Sequence, residues 1–234
     1  MDQNLTYQWS EKRIWIFVFL AGLFITNAVT AELISNKLIE IPISFSLGGF
    51  NFGPFVTIVG ILPWPVVFLL TDLLNEFYGQ KVVRRLSWIT SILIAYCFII
   101  ITLTLGIPAV NIQGVDLAST ESYNQVFGQA QMVILASICA FLISQLLDAF
   151  VFAEIKKRTG NKFIWLRSTG STLLSQLIDS FLVLYIGFVL PGKIQLSNFT
   201  SLALTNYTLK ILIAISLTPL IYLGHFIMKK TLLK

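Results

Sequence analysis

Long apolar stretches, each sufficient to cross a bilayer core, recur six times along this chain. About twenty apolar residues are needed, and the windows 14–38, 55–78, 86–106, 132–153, 172–190 and 207–228 qualify. The second is the least regular, because Pro63 and Pro65 flank Trp64 and must disturb its outer third. Between the first two windows, Ile43, Phe45 and Leu47 alternate with Ser44 and Ser46 before Gly48-Gly49. That pattern predicts an extended hairpin or re-entrant piece over 40–52. The expected fold is an all-α integral membrane protein with six transmembrane helices and a short extended hairpin in the first outer loop. It forms one domain over 1–234.

Composition agrees. Of 234 residues, 56% are hydrophobic and 12% charged, against roughly a quarter charged in soluble domains. Lys12 and Arg13 before an apolar run, with Val29-Thr30-Ala31 beyond it, have the look of a cleavable leader. The helical pattern continues through Glu32 to Leu38, so this segment is read as the first span. Cys97 and Cys139 sit in apolar runs without neighbouring ligands, which argues against a disulfide framework or a zinc site.

The net charge of +5 invites a nucleic-acid reading until the charges are placed. Lys12 and Arg13 precede span one. Lys81, Arg84 and Arg85 follow span two, and Lys156, Lys157, Arg158, Lys162 and Arg167 follow span four. Lys229, Lys230 and Lys234 follow span six. Thirteen of the sixteen basic residues thus fall on one side. The other side has Lys37 and Lys193, with Asp116 and Glu121 in its longest loop, while Lys210 lies within span six. This is the positive-inside pattern, with both termini cytoplasmic in a bacterial inner membrane. No basic stripe interleaved with aromatics points to nucleic acid.

Ionisable groups at membrane depth are expensive and usually face a bundle interior or a water-filled cavity. Asp72, Asn75 and Glu76 share one helical face of span two, and Ser144 and Asp148, with Gln145 beside them, lie on span four. On span five, Ser168, Thr172, Ser175 and Asp179 form a continuous polar stripe. Span one offers Asn27, Glu32, Asn36 and Lys37; span six offers Asn206, Tyr207 and Lys210. Ser144-Gln145-Leu146-Leu147-Asp148-Ala149-Phe150 matches Ser175-Gln176-Leu177-Ile178-Asp179-Ser180-Phe181 at five of seven positions. Spans four and five run in opposite directions, so the two copies should meet antiparallel at similar depth, as at many transporter sites.

Plainer readings stand beside these. Ser144, Ser168 and Ser175 also suit helix packing, and Glu76 with Lys81 also suits the cytosolic end of span two. Lys37 and Lys210 can snorkel outward, and His225 reads as an interface residue. Phosphate-binding and zinc-protease motifs are absent and there is a single histidine, so enzyme chemistry is not expected. Paired aspartates can share a proton, which leaves an intramembrane hydrolase as a remote alternative.

Thr71-Asp72-Leu73-Leu74-Asn75-Glu76-Phe77-Tyr78-Gly79, followed by Lys81, Arg84 and Arg85, resembles the queuosine precursor transporter family, also called the "putative vitamin uptake transporter" family. The resemblance continues at Ser144-Gln145-Leu146-Leu147-Asp148, at Arg167 and the run from Ser171 to Asp179, at Asn206-Tyr207 with Lys210, and at Asn36-Lys37. Span three and the loop 107–131 carry no such motif. The resemblance implies uptake of 7-deazaguanines such as preQ0, preQ1 or queuine for tRNA modification. A guanine-like base presents adjacent N–H donors, and an ionised carboxylate can accept both.

Asp72, Asp148 and Asp179 are the expected carboxylates and Asn75, Gln145 and Gln176 the amide partners, with Glu76 and Thr172 in the same substrate site. Glu32 and Lys210, with Tyr207, are the expected outer charge pair or gate. No metal or cofactor is expected, and a homodimer is. The competing reading is a substrate-binding subunit that needs an ATP-driven energising module. Such subunits often carry a small-x-x-x-small stripe in their first span, which Ala28 with Glu32 does not supply.

Overall fold

The computed structural model describes residues 10–35, 37–47, 50–110, 119–128, 131–160, 162–192 and 195–232. Asn36, Gly48, Gly49, Asp116, Lys193 and Lys234, named above, lie outside them. The described helices are α1 (Glu11–Leu33), α2 (Trp64–Tyr78), α3 (Gln80–Leu105), α4 (Thr120–Phe127), α5 (Gln131–Thr159), α6 (Ile164–Leu184), α7 (Leu196–Ser216) and α8 (Thr218–Leu232). Four short strands, β1 (Leu38–Ile41), β2 (Phe45–Leu47), β3 (Phe50–Phe52) and β4 (Phe55–Ile58), lie between α1 and α2. Five helical segments are long and apolar enough to cross a membrane. A sixth arises when Leu202–Ser216 and Thr218–Leu232, bent by 43° at their junction, count as one span. The chain is an all-α membrane protein.

The hairpin is longer than the alternation over 40–52 predicts. β1 pairs antiparallel with β4, and β2 with β3, so one folded ribbon runs from Leu38 to Ile58. It removes Phe55–Ile58 from the second apolar window, because Phe55-Val56-Thr57-Ile58 is a good strand sequence. Pro63 and Pro65 then open α2 instead of kinking it. A proline in the first helical turn lacks an N–H that would have been unpaired anyway.

Two glycines are required here. Gly79 holds φ +87° between α2 and α3, its N–H donating to the Leu74 carbonyl, a conformation that costs a side-chain-bearing residue strain. Gly60 packs so tightly on the end of α1 that a Cβ would overlap Ser35 Oγ and the Ala31 carbonyl. Gly60→Ala should therefore destabilise the protein by about 1–3 kcal/mol, checked by thermal unfolding in detergent.

The last span is not the continuous helix expected over 207–228. It breaks at Leu217, and Pro219 sits in the first turn of α8, where its missing N–H is tolerated. Conversely, α6 begins at Ile164, eight residues before the predicted window, and brings Arg167 into the helix beside Ser168.

The packing suits lipid. Trp88, Ile92, Tyr96, Ile99 and Leu103 form an exposed stripe along α3, while Ser87, Thr90 and Ser91 of the same helix turn inward. Phe24, Ala28, Val67, Leu74, Val83 and Phe141 anchor an apolar core shared by α1, α2, α3 and α5. Beside it, α6 presents its buried polar face to α2, α5 and α7.

Candidate functional site

The site is organised along α6. Arg167, Ser168, Thr172, Ser175 and Asp179 succeed one another at helical spacing, all buried, and each engages a neighbouring helix. Ser168 donates to Asp72 Oδ2 of α2. One turn on, Thr172 and Ser175 donate to Asp148 Oδ1 of α5, at 3.3 and 3.2 Å. Asp179 accepts from Ser144 of α5 at 3.4 Å and pairs with Lys210 of α7.

The two similar segments meet as the sequence suggests. Ser144 donates to Asp179 and Ser175 to Asp148, so each copy's serine serves the other copy's aspartate. Helices crossing antiparallel with equal spacing between Ser and Asp produce this reciprocity. It places both carboxylates at the α5–α6 seam.

The amides divide into two kinds. Gln145 Nε2 donates to Thr71 Oγ1 at 3.1 Å, and Asn75 Nδ2 donates to the Ala149 carbonyl at 3.0 Å. Both tie α2 to α5. Gln176 is only 6% exposed, yet its amide makes no hydrogen bond with the described residues. Its amide is not among the fully enclosed unpaired atoms, so it keeps some open space around it and is available to a ligand.

Glu76 lies in a different setting. Arg167, 0% exposed, donates to Glu76 Oε1 at 2.8 Å. Lys156 Nζ sits 3.1 Å from Oε2 and also donates to the Glu76 carbonyl, and His225 Nε2 lies 3.7 Å from Oε1. Arg167 further donates to the Gly160 carbonyl at 2.8 Å, tying off the end of α5. The ring of Phe152 lies under its guanidinium, 5.8 Å away. Glu76 thus joins α2, α5, α6 and α8 in one ionic knot. A void of about 10 Å³ between Asp72, Glu76, Phe152 and His225 has room for little more than one water.

Toward the other end, Ser137 of α5 donates to Glu32 of α1. Glu32 is buried within electrostatic reach of both Asp179 and Lys210. Tyr207 donates to the Leu173 carbonyl at 3.0 Å, fastening α7 to α6 three residues from Lys210. The structure therefore brings Asp72, Asp148, Thr172, Gln176, Asp179 and Lys210 onto one polar seam, with Glu32 beside it. Asn75 and Gln145 serve as interhelical ties, and Glu76 is held in a separate cluster.

Sequence reasoning assigned no site role to Thr71, Ser137, Arg167, Lys156 or His225. For Arg167 there was a signal: it sits among Phe163, Ile164, Trp165 and Leu166, an apolar setting unlike a solvated loop. Chemically, the seam offers three buried carboxylates, donor hydroxyls, an open amide and one fixed cation. That set suits binding of a small polar molecule. Among the described residues, no three His, Cys, Asp or Glu side chains are grouped to hold a metal ion.

Residues 58–224 match the model of the family described as "Putative vitamin uptake transporter". The chain is 31% identical to the "Probable queuosine precursor transporter" of Bacillus subtilis (strain 168) over 158 residues, 66% of this chain and 67% of that one. It is 28% identical to the "Queuosine precursor transporter" of Escherichia coli (strain K12) over 210 residues, 88% of this chain and 85% of that one. No solved structure matches it. With a family model covering well over half its length and reaching into every span from the second onward, the chain belongs to the vitamin uptake transporter family.

Proposed function

We propose that this protein imports queuosine precursors, 7-deazaguanines such as preQ0, preQ1 or queuine, across the bacterial inner membrane for tRNA modification. The names of the relatives support the substrate class. The observation that carries the site is the α5–α6 seam, where Gln176, on the α6 face of Thr172 and Asp179, holds an unbonded amide near the paired carboxylates' helix face. In this reading a carboxylate of the seam accepts the adjacent N–H donors of the base, and Gln176 donates to its carbonyl.

The Glu76–Arg167–Lys156 knot is the inner gate, because the basic residues on its side of the bundle mark that side as cytoplasmic. Asp179–Lys210, with Glu32 and Tyr207, is the outer gate. Both termini lie in the cytosol, and two copies assemble as a homodimer.

The test is direct binding of preQ0, preQ1, queuine and guanine to the purified protein. At least one deazaguanine should bind more tightly than guanine; no binding of any of the three removes the proposal. Gln176→Ala should weaken binding about tenfold with little change in unfolding temperature, because no internal bond is lost. Gln145→Ala, which breaks the tie to Thr71, should lower the unfolding temperature as well. Equal binding by Gln176→Ala and the unaltered protein takes Gln176 out of the site.

A further inference from the structure

Asp148 and Asp179 occupy equivalent places in the paired segments, but their counter-charges differ. Asp179 faces Lys210 of α7. Asp148 has a second carboxylate, Asp72 of α2, within electrostatic reach. Ser168 and Thr172, one turn apart on α6, donate to Asp72 and Asp148 respectively, so their anchoring points lie on the order of 6 Å apart along the helix. Both aspartates are nearly sealed from water, 3% and 4% exposed, and Asp72 Oδ1 has no hydrogen-bond partner.

The charged groups around this pair are committed elsewhere. Arg167 of α6 bonds Glu76 and two backbone carbonyls, and reaches Asp72 only through space, where the Glu76 charge opposes it. Lys156 of α5 and His225 of α8 also turn to Glu76. Lys210 is held by Asp179, with Glu32 of α1 adding negative charge on that side. Two buried carboxylates within electrostatic reach of each other resist double ionisation, so with the neighbouring cations paired to other carboxylates the pair is stable when it carries one proton.

We propose that Asp72 and Asp148 together carry one proton, and that this proton is the coupling ion of transport. This rests on the reading of the seam as a transport site. A carboxylate of the pair takes a proton from outer water, forming an O–H bond. When the inner side opens, that bond breaks and the proton leaves to cytosolic water, restoring the carboxylate. A metal cation suits the pair less well, since it requires a shell of oxygens. The hydroxyls of Ser168, Thr172 and Ser175 are already donating to the carboxylates. The void beside Asp72 is walled mostly by Leu73, Phe152, Ile164 and Ile221. A proton needs no shell.

The experiment is infrared spectroscopy of the full chain in liposomes without substrate, followed by preQ0 uptake in the same liposomes. Substrate-free protein at neutral pH should show a protonated-carboxyl band that Asp148→Asn and Asp72→Asn each remove. Asp148→Glu should shift the band and Asp179→Asn should leave it. An inside-alkaline gradient should drive preQ0 accumulation about tenfold per pH unit, and a sodium gradient should not. The nitrile of preQ0 brings no proton of its own, so the gradient acts through the protein. The proposal is overturned if the band is absent, if it survives both asparagine variants, or if accumulation follows sodium. A normal band without preQ0 entry overturns the substrate reading and leaves the proton site standing.

Discussion

Arg167→Met should destabilise the protein by about 3–5 kcal/mol, the cost of stripping one partner from a buried ion pair. Arg167 is completely enclosed, and its guanidinium divides its donors between Glu76 and the end of α5. Methionine fills much of the volume but leaves Glu76 charged and short of donors. The loss should appear as a lower unfolding temperature and a reduced yield of folded protein. Arg167→Met combined with Glu76→Gln should recover a good part of it, since the under-compensated charge is then gone. Lys156→Met should cost no more than about 1 kcal/mol, because that amine is partly in water and its pair is screened. A single Arg167→Met as stable as the parent would show that the knot does not hold this end of the bundle together.

The second large effect belongs to Lys210. Lys210→Met leaves Asp179 buried with Ser144 as its remaining hydrogen-bond partner, and should cut uptake about a hundredfold, roughly 3 kcal/mol in the transport step. Combining Lys210→Met with Asp179→Asn should restore the unfolding temperature but not uptake. That split separates an ion pair that transport uses from one that merely holds α6 to α7. Uptake recovered by the neutral pair would assign Asp179–Lys210 a structural role.

Hydropathy made much of this architecture legible, because lipid demands apolar length. The repeated Ser-Gln-Leu-x-Asp segments foretold the α5–α6 crossing, since equal spacing on antiparallel helices pairs each serine with the other aspartate. Arg167 was hidden by the same logic that found the spans. A charge shortens an apolar window, so hydropathy starts span five at 172 and leaves Arg167 in the loop. The prolines misled in a similar way: Pro63 and Pro65 signalled a disturbed helix, when they mark where a helix begins after a longer hairpin. The break at Leu217 lay inside a window whose hydropathy was uninterrupted. Single hydroxyls such as Thr71 and Ser137 gain their roles only from a facing helix, and no local pattern announces them.

The central claim is import of queuosine precursors by this chain acting alone. It is tested most directly by expressing the chain in cells that can neither make nor import such precursors. The cells are supplied with preQ0, preQ1 or queuine, together with the cytosolic enzymes each requires, and their tRNA is assayed for queuosine. The account predicts queuosine in tRNA with the intact chain and little with Lys210→Met. Unmodified tRNA with every precursor, although the protein is folded in the membrane, would contradict it. Rescue that appears only when an ATP-hydrolysing module is added would instead identify a substrate-capturing subunit.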